Sequence, residues 1–204
     1  MAQTNKSPIL SLLTNKENLS AVLEIMKYSQ DVGREVRERF WDRLQQALRK
    51  SEPAELSLGL LWRQDLSVTT EWPGLDGRLA PFVEKVQGLK YRIEAGEGYF
   101  GFGLAWLMKT KELQNHRQIK AVDRLQNNLE NKCHTSHDPE LPNESWLWWE
   151  EWENSTFSDS DLWSWFAKDE ADELWFRDKA DKFWAVAAQM HPLVVEANKA
   201  LKGL

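Results

Sequence analysis

The tryptophan-rich region of the chain opens with the segment Trp146-Leu147-Trp148-Trp149-Glu150-Glu151-Trp152 and extends to Trp184. Eight of the twelve tryptophans of the protein lie in this region, among many carboxylates. A tryptophan side chain buries a large apolar area when it packs. The region must therefore complete a hydrophobic core or form a binding surface, and the placement of its rings decides the fold.

The length and composition of the chain predict one globular domain. Its 204 residues are 42% hydrophobic and 28% charged, which is enough apolar material for a core. We expect a single α+β domain over residues 1–204, with a small, mostly antiparallel sheet packed against N-terminal and C-terminal helices. Its expected parts are a helical lead-in at 1–50, the sheet at 51–107, and helices with the tryptophan-rich acidic segment at 108–204.

The first fifty residues predict two helices. Asn15 is a good N-cap for the first helix, whose apolar face comprises Leu19, Val22, Leu23 and Met26. Residues 31–50 form the second predicted helix. Its apolar side chains recur every four residues, which is typical of a stripe along one helix face, at Val32, Val36, Phe40, Leu44 and Leu48.

A change of hydrophobic period in the middle of the chain predicts strands. Residues 55–62 alternate apolar and polar side chains, as a half-buried strand does, and residues 66–70 are the expected partner. Residues 90–94 and 99–104 predict the two strands of a β-hairpin, because the intervening turn at 95–98 contains two glycines.

The remaining segments predict loops and helices. Proline and glycine indicate a loop at 72–77, and residues 131–145 are polar and contain two prolines. Helices are expected at 111–130 and 169–189, with Pro192 interrupting the second helix or starting a final one.

The location of the protein is inferred from features that the sequence lacks. We expect no signal peptide, because the N-terminus has no apolar stretch followed by a cleavage site. No run of apolar residues is long enough to predict a membrane span. Cys133 is the single cysteine, so an internal disulfide is excluded. These features predict a cytoplasmic protein without membrane partners.

The charge is divided unevenly along the chain. Residues 1–136 contain 20 basic and 17 acidic side chains, whereas residues 137–204 contain 6 basic and 15 acidic ones, so the two parts carry about +3 and −9. The acidic part disfavours direct contact with nucleic acid, because phosphate binding needs clustered Lys and Arg. It is compatible with a protein partner, or with a surface that mimics the charge of DNA.

Two short motifs invite a functional interpretation that their context does not support. Residues 96–103 match the GxGxxG pattern, but a dinucleotide site needs that pattern at the start of a helix, and here a strand is expected. Cys133, His134 and His137 are close in sequence, yet a loop with these side chains supplies fewer than the four ligands of a zinc site. We therefore predict no metal and no cofactor.

We also predict no catalytic residues. Pairs of carboxylates are abundant, but acid/base catalysis needs two carboxylates in different environments, and the sequence singles out none. A magnesium-dependent nuclease needs an acid followed by an acid-x-Lys motif on the next strand, to hold the metal and activate water. Neither predicted strand pair carries it, although a divergent nuclease stays an alternative.

The tryptophan-rich segment contains the candidate binding residues. Trp163, Trp175 and Trp184 fit the apolar faces of helices, so we assign them to the core. The expected partner-binding surface is partly exposed, because its aromatic rings and carboxylates together suit a cationic group or a protein partner. It comprises Trp148, Trp149, Trp152, Glu150, Glu151 and Glu153.

The order of the predicted elements resembles the C-terminal region of PD-(D/E)XK nuclease-superfamily proteins from bacteria and phages. The resemblance covers about residues 16–201 and is carried by the helix with residues 39–44, the hairpin ending in 99–103, and the block from Trp148 to Trp152. It implies an accessory α+β module in phage-defence or mobile-element biology. The catalytic core of that superfamily has no counterpart here, so no catalytic residue carries over.

These patterns together predict a non-catalytic protein-interaction or regulatory module. The alternative is an acidic, DNA-mimicking inhibitor of a nuclease-based defence system, of the anti-restriction or anti-CRISPR kind. That alternative requires the carboxylates of residues 138–181 to form one continuous face without interspersed basic side chains. The partner, the pathway and the oligomeric state cannot be predicted from these patterns.

Overall fold

The computed structural model describes residues 12–54, 60–65, 74–79, 88–96, 99–107, 119–132, 145–152 and 171–202. Over these residues the protein is α+β, as predicted from the sequence. Its long helices lie before the first strand and after the last strand in the sequence. In chain order the elements are α1 (Lys16–Lys50), β1 (Leu60–Asp65), β2 (Gly74–Leu79), β3 (Leu89–Gly96), β4 (Tyr99–Trp106), α2 (Lys120–Lys132), β5 (Trp146–Glu151) and α3 (Ala171–Lys202).

The five strands form one antiparallel sheet in the order β1-β2-β3-β4-β5. The hairpin predicted from residues 90–94 and 99–104 is confirmed, but β3 continues through residues 95 and 96 of the predicted turn, since Gly96 pairs with Tyr99. Residues 97 and 98 lie outside the described residues. The expectation that the sheet is contained in residues 51–107 is wrong, because β5 comes from the tryptophan-rich segment. That segment alternates too briefly to be recognised as a strand by itself, and pairing with β4 determines its conformation.

The loop predicted at 72–77 is a second correction. Strand β2 begins at Gly74 and pairs with both β1 and β3. Its glycines indicate a turn, but the backbone of β3 passes so close that a side chain at Gly74 would meet the carbonyl oxygen of Ile93. Glycine here serves close strand packing. The strand predicted at 66–70 lies outside the described residues.

Helix α1 is continuous where two helices were predicted. Asn15 is the N-cap, as expected, and its side-chain oxygen accepts a hydrogen bond from the backbone N–H of Glu17 at 3.3 Å. Residues 30 and 31 do not end the helix, since neither is Gly or Pro, and Asp31 forms an ion pair with Arg34 one turn later at 2.8 Å. The chain divides into two compact units, Met1–Arg39 and Phe40–Leu204, and the division falls within this helix.

The core of the second unit is rich in aromatic side chains. Phe40, Leu44 and Leu48 of α1 are fully buried, which confirms the second half of the predicted stripe. Phe183 of α3 packs against Tyr91 of β3 at 5.7 Å between ring centroids. Helix α3 therefore covers the sheet face that carries the aromatic side chains of β3 and β4, and we call this the helix-covered face.

Helix α3 passes through Pro192 without ending, where an interruption was predicted. Proline removes one backbone hydrogen bond from a helix interior. Packing offsets that loss, because the flanking residues Met190 and Val194 are fully buried. One turn further on, the Asn198 side chain accepts a hydrogen bond from Leu89 N–H at 2.6 Å and donates one to the Leu89 carbonyl at 3.1 Å, which anchors α3 to the start of β3.

Candidate functional site

Two of the three tryptophans predicted to form a partly exposed surface are in the core. Trp148 is 4% exposed and Trp152 is 2% exposed, so the expected exposure of these two rings is wrong. The register explains the result, because Trp148 pairs with Leu104 and cross-strand partners share a sheet face. Trp152 follows β5 and packs on Phe100 and Phe102, with ring centroids 4.6 and 5.1 Å apart.

A buried cation of the protein itself lies beside one of these rings, Trp152. The ammonium group of Lys179 lies 5.9 Å from the ring centroid of Trp152 and 5.4 Å from that of Trp175. Lys179 is only 5% exposed. An ammonium over aromatic faces is attracted by their electron density, and the attraction increases when water is excluded. The chemistry predicted for a partner therefore operates inside the core.

Trp149 and the neighbouring glutamates keep some contact with solvent. Trp149 and Glu150 are half-buried and Glu151 is exposed, while Glu153 lies outside the described residues. The ring of Trp149 lies over Gly101 on the second sheet face and contacts Trp146, whose ring centroid is 4.6 Å away. The binding role of these residues stays a prediction, and it rests on Trp149, Glu150 and Glu151 alone.

The second face of the sheet also carries a buried ion pair that sequence reasoning missed. Arg92 and Glu94 point to the same side of β3, because they are two residues apart, and their side chains form an ion pair with only 11% exposure each. Gly103 and Gly101 lie opposite them on β4. The sequence does indicate that Arg92 and Glu94 share a face, because they alternate along β3 with Tyr91, Ile93 and Ala95, which occupy the other face.

The N-terminal helical segment, residues 12–39, presents the largest set of exposed apolar side chains in the described parts of the chain. Leu174 is the single further exposed large apolar residue there. Eight side chains of the segment are between 40% and 69% exposed; we call them the apolar surface. They are Leu12, Leu13, Leu19, Leu23, Ile25, Met26, Tyr28 and Val32.

Sequence reasoning found part of the apolar surface but assigned it no function. The predicted apolar face of the first helix includes Leu19, Leu23 and Met26. At about 100° per residue, Ile25, Tyr28 and Val32 form a second apolar sector of the same helix. The sequence does contain a feature that indicates this surface: apolar side chains occupy more than half of the helix circumference. A helix exposed to water is normally polar over most of its surface.

A groove of about 570 Å³ lies between α1 and α3 within the second unit. Its charged side chains carry both signs, with Arg43, Lys50 and Arg177 beside Glu173 and Asp181. All five are exposed, and Arg177 is 3.8 Å from Asp181 in an ion pair. A groove with balanced and solvated charges selects neither anions nor cations, so it offers no distinct ligand chemistry.

Few titratable groups in the described regions have a shifted pKa. Burial raises the pKa of the Tyr91 hydroxyl far above its ordinary value, and burial lowers the pKa of His191 below 6.5. The two residues belong to the packing of α3 and the sheet, and neither has a partner typical of acid/base catalysis in these regions. Among the described residues no three His, Cys, Asp or Glu side chains are grouped as metal ligands, and Cys133, His134 and His137 lie outside them.

The carboxylates of α3 bear on the DNA-mimic alternative. Both Asp178 and Asp181 form ion pairs with basic side chains of the same helix. Lys182 lies 3.2 Å from Asp178, and Arg177 pairs with Asp181. A DNA mimic needs a continuous acidic face, so interspersed cations reduce the support for it over residues 171–181. The rest of the acidic segment from 153 to 170 lies outside the described residues.

Comparisons with known proteins add no relative. Searches against protein-family models, curated proteins and solved structures give no match to this chain. The resemblance to PD-(D/E)XK accessory regions therefore stays a prediction. In the described part of the chain, none of the helices combines the length and apolar character needed to cross a membrane.

Proposed function

We propose that this protein is a non-catalytic protein-interaction or regulatory module that binds through the apolar surface of residues 12–32. The observation that carries the proposal is the clustering of eight exposed large apolar side chains on one short helical stretch. Single exposed apolar residues are common on protein surfaces, whereas contiguous apolar patches usually mark interaction sites.

The size of the apolar surface fits a specific contact. At the observed exposures the eight side chains leave roughly 800 Å² per chain in water, about the area that each partner contributes to a standard-size interface. Burying apolar area stabilises a complex by roughly 25 cal/mol per Å² before the cost of association is subtracted.

The charge of the same segment indicates a protein partner. Residues 12–32 contain two lysines and three acidic side chains, so they lack the basic cluster that binds phosphate. An anionic membrane surface likewise attracts clustered Lys and Arg. A partner with an apolar groove or an apolar helix face fits these residues.

The cellular setting of the proposal comes from the sequence. The resemblance to PD-(D/E)XK accessory regions supports a place in phage-defence or mobile-element biology, and the single cysteine supports the cytoplasm. In that setting an accessory module without catalytic residues would act by holding or inhibiting another protein. Trp149 and Glu151, which share the second sheet face, would provide a second, smaller contact region.

Affinity purification from the native host tests the proposal. The tagged wild-type chain is compared with the double variant Leu19→Glu/Leu23→Glu, which places two charges in the apolar surface. Leu174→Glu is the matched control, because Leu174 is 69% exposed but lies on α3.

We expect quantitative mass spectrometry to show proteins that are captured by the wild type and by Leu174→Glu, and that are lost with the double variant. Circular dichroism must show that all three proteins are folded. Equal capture by the three proteins, or no specific capture by any of them, would contradict the proposal.

A further inference from the structure

We propose that the partner of the apolar surface is the same helical segment in a second copy of this chain, so that the protein self-associates through residues 12–32. The inference deepens the proposed function and rests on it, because it names the occupant of the same surface. Three observations carry it: the periodicity of the helix, the balance of its charges, and the area it exposes.

The periodicity of α1 is that of a helix that packs against other helices. Acidic side chains recur every seventh residue at Glu17, Glu24, Asp31 and Glu38. The apolar positions Leu19 and Met26 follow the same seven-residue spacing. A heptad repeat keeps one side of a helix apolar along its length and the opposite side charged, as in coiled coils and helical bundles. The seven-residue pattern therefore favours another helix over a flat apolar surface.

The apolar surface is wider than an ordinary seam between two helices. Leu23 adjoins the Leu19–Met26 row, whereas Ile25 and Val32, also seven residues apart, lie roughly 100–140° around the helix from that row. A strict coiled-coil seam uses two positions in seven, and a helix in a bundle uses more. Copies of the segment can cover this width by packing around one another, since every copy presents the same broad surface.

The charges of the segment are compatible with a second copy. Residues 12–39 contain five basic and five acidic side chains, so their net charge is zero and two copies do not repel each other at long range. Several of these charges are already paired within the helix, as between Arg34 and Asp31 at 2.8 Å and between Arg39 and Glu35. The segment has no excess charge to attract a strongly charged partner. A second copy of the segment is itself neutral, so its binding does not require opposite charge.

The area also agrees with self-association. The roughly 800 Å² that each copy would bury among its neighbours is about the area that each partner contributes to a standard-size complex. Interfaces between identical chains are more apolar than those of transient complexes. Seven of the eight exposed side chains are aliphatic or methionine, and Tyr28 is the exception.

Sedimentation equilibrium of the full chain at micromolar concentrations tests the inference. We expect the wild type to be a dimer or larger oligomer, and Leu19→Glu/Leu23→Glu to sediment as a monomer, because two glutamates would be buried without partners in the interface. Ser20→Glu is the control on the same helix, since it adds one negative charge to the polar side, where each substitution of the double variant adds one to the apolar surface. Leu174→Glu controls for charge on another exposed leucine.

Cross-linking keeps the test decisive if the double variant folds poorly. In a Cys133→Ser background, Leu23→Cys is expected to form an intermolecular disulfide under mild oxidation, and Ser20→Cys is expected to form much less. A wild type that stays monomeric, or equal cross-linking at the two positions, would overturn the inference.

The two proposals can fail separately. A monomeric wild type that still captures another protein through Leu19 and Leu23 contradicts self-association and leaves the interaction module standing. A monomeric wild type without specific capture contradicts both proposals. An oligomeric wild type that the double variant converts to a monomer supports the inference, whichever other proteins are captured.

Discussion

The indole groups of two core tryptophans differ in what surrounds their nitrogen. Trp184 donates a hydrogen bond of 2.8 Å to the carbonyl oxygen of Leu48, near the C-terminal end of α1, where helix carbonyls lack intrahelical partners. Trp148 is equally buried, but its indole N–H has no hydrogen-bond partner among the residues that the structure describes. The sequence places both in the tryptophan-rich region and does not distinguish them, since a hydrogen bond between residues 136 positions apart is a tertiary property.

Replacing each of these tryptophans by phenylalanine separates the hydrogen bond from the loss of volume. We expect Trp184→Phe to lower the free energy of unfolding by about 1–3 kcal/mol more than Trp148→Phe does, because only the first change leaves a carbonyl without its donor. Urea unfolding followed by circular dichroism measures both values. Equal losses would show that the Leu48 contact does not stabilise the fold.

At the scale of elements, the contact between β4 and β5 depends on two glycines. A side chain at Gly101 would meet the Trp149 ring at 2.5 Å, and one at Gly103 would meet the Trp149 Cα at 3.0 Å and the backbone of Trp148. The sequence shows glycines at alternate positions of a predicted strand, and glycine in a strand leaves room for the close approach of another group. That the approaching element is the tryptophan-rich strand depends on the register.

Alanine substitutions at glycines test this contact. Gly101→Ala and Gly103→Ala should each lower the free energy of unfolding by about 2 kcal/mol or more and change the tryptophan fluorescence, because β5 has to move away. Gly33→Ala is the control: it lies inside α1 with its nearest neighbour, Arg37, at 3.9 Å. We expect that change to stabilise the protein by about 0.5–1 kcal/mol through helix propensity. If Gly33→Ala destabilised the protein while Gly101→Ala and Gly103→Ala did not, the assignment of Gly101 and Gly103 to a close contact with β5 would be contradicted.

At the scale of the whole molecule, helix α1 belongs to two compact units. Its residues from Phe40 onward include several fully buried side chains, whereas most side chains from Lys16 to Val32 are exposed. Helices that lack tertiary packing are marginally stable in water. The same helix therefore combines a packed section with a largely exposed one.

Hydrogen exchange along α1 tests this division. In the Leu19→Glu/Leu23→Glu variant, which removes the proposed contact between copies, we expect amides of residues 20–28 to exchange at least roughly 100-fold faster than those of residues 42–50. In the wild type, protection at 20–28 should increase with protein concentration. Uniform protection along α1 in the variant would show that both sections are held by the same fold.

The sequence by itself determined the fold class, the N-cap at Asn15, the hairpin around residues 95–98 and the buried stripe from Phe40 to Leu48. These features depend on local periodicity and turn chemistry, which act over a few residues. Tertiary structure alone decided that the tryptophan-rich segment is a strand, that Trp148 and Trp152 belong to the core, and that Lys179 lies beside the Trp152 ring. A strand's register sets which side chains face the core, and the register depends on partners far away in the chain.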